Sequence, residues 1–146
     1  MPDGVHLVDV EIVTPDGHLY TDRGDLVVVP GVEGQLGIMA GHQPLVSLLA
    51  IGEMHVRRPG AAEPDRFATG IGYVEVLFGR VRIVVDHAEK AGQIDVARAE
   101  AARRRAEERL ALRHDPAAAA EVDFFRAEQA LKRAVNRLQV VQRAAS

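Results

Sequence analysis

The residues of this chain best placed to do chemistry are arginines at helical spacing. Arg98 and Arg105 stand seven apart, two turns along one face of a helix, and Arg109 continues the row; Arg133 and Arg137 stand four apart further on. A guanidinium presents a planar fork of donors that matches a phosphate or a carboxylate. Three readings fit the spacing. The row is a solvated face salt-bridged to Glu100, Glu107, Glu108 and Glu128, through pairs such as Glu128 with Lys132; or it meets an acidic protein; or it holds a small polyphosphate.

Other chemistries find little support. The chain has no cysteine, which excludes a disulfide framework, a thiolate zinc site and a cysteine nucleophile. Its six histidines are scattered and form no HxH or HExxH pair, and Thr14, Thr21, Ser47, Thr69 and Ser146 show no nucleophile pattern, so neither a metal site nor a catalytic residue is expected. His42, between Gly41 and Gln43-Pro44, reads as a hydrogen bonder that fixes a loop. Residues 31–45 hold four glycines, Gly31, Gly34, Gly37 and Gly41, together with Pro44. A phosphate cradle is disfavoured there, because neither a Lys-Ser/Thr pair nor a helix follows. A Gly-rich bend in an all-β domain, or a surface shaped for a protein partner, remains.

The elements that must position these residues divide sharply. All thirteen glycines lie at or before Gly92 and six of the seven prolines precede it; beyond it Ala, Glu and Arg dominate. The boundary predicts domains over 1–90 and 91–146. Before it, short apolar runs alternate with turns, as in Val8, Val10 and Ile12 followed by Thr14-Pro15-Asp16-Gly17, and no helix is convincing. Residues 26–29 are apolar throughout and predict a strand covered on both faces; 67–76 read as a strand, a bulge and a second strand, and 81–85 as the closing strand. The expected fold is a β-sandwich of eight to ten strands, followed by an antiparallel two-helix hairpin.

Asp95 is placed to cap a helix running to about Arg113, with a thin stripe of Val96, Ala99, Arg103, Ala106 and Leu110. Asp115-Pro116 starts a second helix with a stripe of Phe124, Ala127, Leu131, Val135, Leu138 and Val141. Such Ala-rich stripes bury little, so the hairpin is expected to dock loosely.

Charge follows the same division. Residues 1–92 hold 13 Asp/Glu against 7 Lys/Arg, a balance of −6, and residues 93–146 hold 8 against 11, a balance of +3. The helices carry no interleaved aromatics, which disfavours nucleic acid. No run of eighteen apolar residues exists and residues 1–4 lack a leader pattern, so the expected compartment is cytosolic, with any membrane reached through a partner.

Several motifs together carry a family resemblance. Val27-Val28-Val29-Pro30-Gly31-Val32-Glu33-Gly34-Gln35-Leu36-Gly37-Ile38, then Gly41-His42-Gln43-Pro44-Leu45, is similar to the signature of the ε subunit of bacterial F-type ATP synthases. Thr69-Gly70-Ile71-Gly72-Tyr73-Val74-Glu75-Val76 and Asp86-His87-Ala88-Glu89 resemble its later pattern. Met39-Ala40 replaces the family's Leu-Pro, and Ile71 interrupts its Gly-Gly pair; both read as drift in loop and strand packing.

The resemblance implies a β-sandwich of about ten strands and a helical hairpin in a non-catalytic central-stalk subunit. The sandwich would bind the γ subunit and the c-ring, with Gly31, Glu33, Gly37, Gly41, His42 and Pro44 at the interface, coupling proton-driven rotation to ATP synthesis. The hairpin would fold back, or extend into the catalytic α/β head and inhibit hydrolysis. The protein would sit peripherally on the cytoplasmic face of the bacterial plasma membrane, require no cofactor, and touch the membrane only through the complex. The resemblance extends to an ATP-sensing motif, Ile94-Asp95-Val96-Ala97-Arg98-Ala99. It implies regulatory ATP at Glu89, Ile94, Asp95, Arg98, Ala99, Arg105, Arg133 and Arg137. A hairpin that does not bind ATP is the alternative, and a free-standing sandwich with an unrelated partner the more distant one.

Overall fold

Alternation at period two writes the first half of the chain as strands, and an arginine- and alanine-rich second half as helices. A computed structural model describes residues 4–146 as two compact units, one ending at Ala91 and the other spanning Gly92–Ser146. Residues 1–3, which entered the reading of the N-terminus, lie outside the described residues.

The first unit has ten strands: β1 Val8–Thr14, β2 Gly17–Gly24, β3 Leu26–Gly31, β4 Gly34–Ile38, β5 Leu45–Leu49, β6 Gly52–Arg57, β7 Asp65–Thr69, β8 Gly72–Leu77, β9 Arg80–Val85 and β10 Ala88–Lys90. They form one sheet in the order β10-β7-β6-β3-β5-β8-β9-β1-β2, with β4 paired to β3. Every pairing is antiparallel except that of β1 with β9. The sheet folds over so that the inward residues of distant strands share one core. Val8, Val10 and Ile12 of β1 meet Val27 and Val29 of β3, Met54 and Val56 of β6, Phe67 of β7 and Ile83 of β9, all buried. The path ends in β2 on one side and β10-β7 on the other, and side chains join those ends. The Tyr20 ring of β2 packs edge-on against Phe67 of β7, centroids 4.9 Å apart and planes at 73°.

Several expectations need correction. Along β3 only Val27 and Val29 are fully buried, whereas Leu26 and Val28 are half-buried, so one face alone belongs to the core. Residues 67–76 form a strand, an irregular break at 70–71 and a second strand, as read from the sequence. β7 lies between β10 and β6, and β8 between β5 and β9, because Gly70 and Gly72 let the chain cross tightly between them. The strand at 81–85 is not the last; β10 pairs with β7 after it. The second helix is also interrupted, as described next.

In the second unit α1 spans Val96–Ala111, α2 Pro116–Ala119 and α3 Phe124–Ala145. Asp95 caps α1 as expected, its carboxylate accepting from the Arg98 amide at 3.0 Å. Asp115 caps α2, accepting from the Ala117 amide at 3.1 Å. The chain then turns and starts afresh, because Asp123 is a second cap whose carboxylate accepts from the Arg126 amide at 3.0 Å. α1 packs on α3. The turn between them is closed by Arg113, which pairs with Glu128 and lies 5.1 Å over the Phe124 ring, so the helices run antiparallel. Along the seam the fully buried residues are alanines, Ala99 and Ala106 on α1 and Ala127 and Ala134 on α3, with Leu110, Leu131, Leu138 and Val141 half-buried on the same faces. Val96, expected in the stripe, is 45% exposed. No helix of the described residues is long and apolar enough to cross a membrane.

Candidate functional site

The seam fixes where the arginines stand. At 100° per residue, Arg98, Arg105 and Arg109 lie about 70–110° to one side of the Ala99–Ala106 line. Arg133 and Arg137 lie about 70–110° to the same side of the Ala127–Ala134 line. In an antiparallel pair, positions displaced to the same side of both seams share one flank. The two rows therefore stand on one flank of the hairpin, with Arg98, Arg105 and Arg109 exposed and Arg133 and Arg137 half-buried.

Two of the carboxylates expected to neutralise this row are engaged elsewhere. Glu100 pairs with Arg103 at 2.6 Å and Glu128 with Arg113, not with Lys132. Among the described residues, no ion pair involves Arg98, Arg105, Arg109 or Arg133. The guanidiniums of Arg98, Arg105, Arg109 and Arg133, on one flank without a carboxylate in ion pair, suit an anion with several acceptor oxygens. The other candidates are placed as follows. Asp95 is committed to the cap. Ala99 is fully buried in the seam, and Ile94 is buried just before α1. Glu89 belongs to the first unit, in β10 opposite Ala68.

The glycine-rich stretch resolves into a hairpin, a strand and a turn. Gly31 pairs with Gly34 across the two-residue loop Val32-Glu33. Gly34 has φ +133°, and a Cβ on Gly31 would stand 2.6 Å from the Gly34 carbonyl, so both positions require glycine. Gly37 is an ordinary strand residue of β4. Residues 39–42 form a turn closed by the His42 amide on the Met39 carbonyl at 3.2 Å. The His42 ring donates through Nδ1 to the Gln43 carbonyl at 2.8 Å, which is the loop-fixing role read from the sequence.

Two features escaped the sequence reading. The first is an exposed apolar patch. Val46 and Leu48 of β5 point outward, 68% and 65% exposed. Register sets Leu48 beside Tyr73, and the Val32 amide bonds the Leu48 carbonyl, which adds Val32 and Ile71 to the same patch. Alternation along 45–49 was the available signal; the run is apolar on both sides, and that hid it.

The second feature is a polar clasp around Asp65, which is 9% exposed. Tyr20 Oη donates to Asp65 Oδ2 at 2.7 Å, Arg58 Nε lies 2.9 Å from the same oxygen, and Lys90 Nζ lies 3.4 Å from Oδ1. Burial acts to raise the Asp65 pKa, but Tyr20, Arg58 and Lys90 outweigh it and hold the carboxyl below its ordinary value. Burial, with the Asp65 charge beside it, pushes the Tyr20 phenol well above its usual range. Nearby, burial and the Arg66 charge lower the pKa of His55. No group of three or more His, Asp or Glu suited to a metal occurs among the described residues.

Comparison with known proteins matches both units. Residues 7–91 match the family model described as ATP synthase, Delta/Epsilon chain, beta-sandwich domain, and residues 93–142 that described as ATP synthase, Delta/Epsilon chain, long alpha-helix domain. The chain belongs to the ATP synthase delta/epsilon family. The ATP synthase epsilon chain of Lacticaseibacillus casei (strain BL23) is 44% identical over 112 residues, 76% of this chain and 78% of its own. That of Shouchella clausii (strain KSM-K16) is 45% identical over 114 residues, 78% of this chain and 84% of its own. Members of this family are non-catalytic subunits, in keeping with the lack of a nucleophile or metal constellation in the sequence. The fold is shared with a chain of the Euglena gracilis mitochondrial ATP synthase structure of OSCP, F1 and c-ring. The TM-score is 0.73 at 23% identity, covering 99% of this chain and 86% of that one. A chain from the central stalk and c-ring of the Tetrahymena thermophila mitochondrial enzyme gives 0.52 at 16% identity, covering 94% and 96%.

Proposed function

We propose that this epsilon-family subunit works in the central stalk of an F-type ATP synthase. Its sandwich binds γ and the c-ring, so that proton-driven rotation is coupled to ATP synthesis, and its hairpin inhibits ATP hydrolysis when extended into the catalytic head. It would act peripherally on the cytoplasmic face of the bacterial plasma membrane. The apolar patch of Val32, Val46, Leu48, Ile71 and Tyr73 supports a protein partner on the sandwich, because contiguous exposed apolar surface marks interaction sites. We assign the interface with γ and the c-ring to Gly31, Glu33, Gly37, Gly41, His42 and Pro44.

The finer reading is that the hairpin senses ATP. One observation carries it: Arg98, Arg105 and Arg133 stand on one flank with no carboxylate partner. ATP spanning both helices would favour the folded hairpin by RT ln(1+[ATP]/Kd), so ~1.4 kcal/mol requires ATP at about ninefold Kd. A site of millimolar affinity would then report cellular ATP. Millimolar ATP should slow proteolysis of the hairpin in the isolated protein, and Arg98→Ala should abolish that protection. Unchanged digestion would remove the sensing role. Inhibition of hydrolysis on adding the chain to an epsilon-depleted enzyme, and its loss on truncation after Ala91, tests the wider reading.

A further inference from the structure

We infer that the arginine flank of the hairpin is a track for linear inorganic polyphosphate, longer than a triphosphate, which ends at Arg109 and Arg126 beside the helix turn. The track shares Arg98, Arg105 and Arg133 with the ATP reading and goes beyond it, because it does not require that ATP binds.

Charge on the hairpin is sorted by flank. At 100° per residue Arg126 lies about 90° from the Ala127–Ala134 line, on the side of Arg133, and so joins the row of Arg98, Arg105 and Arg109. The carboxylates of α1 and α3 are Glu100, Glu107, Glu108 and Glu128. Glu100, Glu107 and Glu128 lie about 90–110° to the other side of their alanine lines, and Glu108 faces away from the seam. No carboxylate of either helix stands among these guanidiniums. Both ion pairs of the hairpin, Glu100 with Arg103 and Glu128 with Arg113, use carboxylates of the opposite flank. Among the described residues no ion pair involves Arg126 either.

A groove fixes where the two rows meet. Arg109 of α1 and Arg126 of α3 line one open groove of about 610 Å³ at the turn. Asp123 also lines it, with its carboxylate committed to the Arg126 amide at 3.0 Å. Glu121 lines it too, and no ion pair engages its carboxylate, so the path of an anion stops there. From Arg109 the row runs about 16 Å along α1 to Arg98, at 1.5 Å per residue. A triphosphate is too short to touch both ends. The ligand that suits the whole row repeats a phosphate along its length and asks for little else, since each guanidinium offers a fork to phosphate oxygens. Between the arginines this flank carries Ala102 and Ala130. It therefore lacks the aromatic platforms on which single-stranded nucleic acid stacks, and the apolar centre that a protein interface needs.

The test titrates the full chain at about 0.15 M salt with tripolyphosphate, ATP, inorganic polyphosphate of about fifteen phosphates and an oligothymidylate of the same phosphate count, read by calorimetry. The long polyphosphate should bind about tenfold or more tighter than tripolyphosphate. Arg109→Gln with Arg126→Gln should remove that advantage and leave tripolyphosphate affinity and helical circular dichroism unchanged. Arg104→Gln with Lys132→Gln removes the same charge from positions about 150° from the alanine lines, and should change the affinity for long polyphosphate less than about twofold. A long chain that binds no tighter than tripolyphosphate overturns the track. Equal losses from the two double variants, or equal affinity for the oligothymidylate, reduce it to a diffuse positive field and overturn it as well. ATP binding without a gain from the longer chain leaves the sensing role standing and removes the track. Tight long-chain binding that depends on Arg109 and Arg126, with no binding of ATP, supports the track and removes the sensing role.

Discussion

Replacing Tyr20 by Phe deletes one hydroxyl and keeps the ring against Phe67. The hydroxyl is the shortest of the contacts that join β2 to β7, donating to Asp65 at 2.7 Å where the two ends of the sheet meet. A hydrogen bond to a charged group contributes ~1.5–3 kcal/mol. Asp65 would retain Arg58 at 2.9 Å and Lys90 at 3.4 Å, so no carboxylate is orphaned and the cost should fall at about 1–2 kcal/mol. For a unit of this size each kcal/mol moves the melting temperature ~4–8 °C. Thermal unfolding followed by circular dichroism should show a fall of roughly 5–10 °C at pH 7. The sign of the pH dependence then identifies the partner. The Asp65 pKa is lowered in the fold, so its stabilisation is present above the unfolded value near 3.9 and is lost as pH falls through the folded value. The Tyr20 phenol stays neutral throughout this range, since its own pKa is raised. The gap between wild type and Tyr20→Phe should therefore shrink below about pH 4. A full gap persisting in acid would mean that the hydroxyl does not act through the ionised carboxylate, and the clasp would be refuted.

Three further substitutions test the packing within each unit. Gly72→Ala places a Cβ 1.9 Å from the Val84 carbonyl oxygen, a backbone atom that cannot yield, and should cost about 3 kcal/mol or more by denaturant unfolding; Gly37→Ala, whose nearest contact would be 3.7 Å, should stay within about 0.5 kcal/mol. Arg113→Ala removes the Glu128 pair and the cation over Phe124 at the hairpin turn; both charged side chains are partly exposed, so about 1 kcal/mol is expected, read as faster amide exchange at the start of α3 and a smaller effect at high salt.

Most of the architecture was legible because each unit repeats one physical rule. Alternation in Val8, Val10 and Ile12 declared the core face, and Asp95, Asp115 and Pro116 declared helix starts. The failures came from tertiary context. Nothing local in 67–76 says that β7 and β8 lie in different parts of the sheet; that depends on which strands approach Gly70 and Gly72. Two caps in close succession, Asp115 and Asp123, split a helix that apolar spacing alone joined. In the candidate site, spacing found the arginine row but assigned Glu128 to Lys132. The pairing with Arg113 depends on the antiparallel turn, which brings a residue fifteen positions away closer in effect than one four away.

Under the proposed function the hairpin moves while the sandwich holds, and the division of packing between the units is consistent with that. The sandwich core is built from Val, Ile, Met and Phe, whose full burial contributes ~1.5–3 kcal/mol each. The fully buried residues of the hairpin seam are Ala99, Ala106, Ala127 and Ala134, each burying a single methyl worth about 0.8 kcal/mol, while Leu110, Leu131, Leu138 and Val141 beside them are only half-buried. Closure of the helices on each other therefore gains less per residue than the sandwich core does, which leaves a narrower margin once the cost of ordering is counted. The arginine flank lowers that margin further, because closure brings the unpaired Arg98, Arg105 and Arg109 of one helix toward Arg133 of the other. A polyanion on that flank reverses the sign, turning mutual repulsion into shared attraction. The same residues therefore weaken the closed hairpin when empty and strengthen it when filled, and that difference is what a ligand needs to shift a population. On the proposed sensing role, fully burying larger side chains in place of the seam alanines would close the helices irrespective of ligand, so the small buried seam and the arginines Arg98, Arg105, Arg109 and Arg133 would belong to one switch.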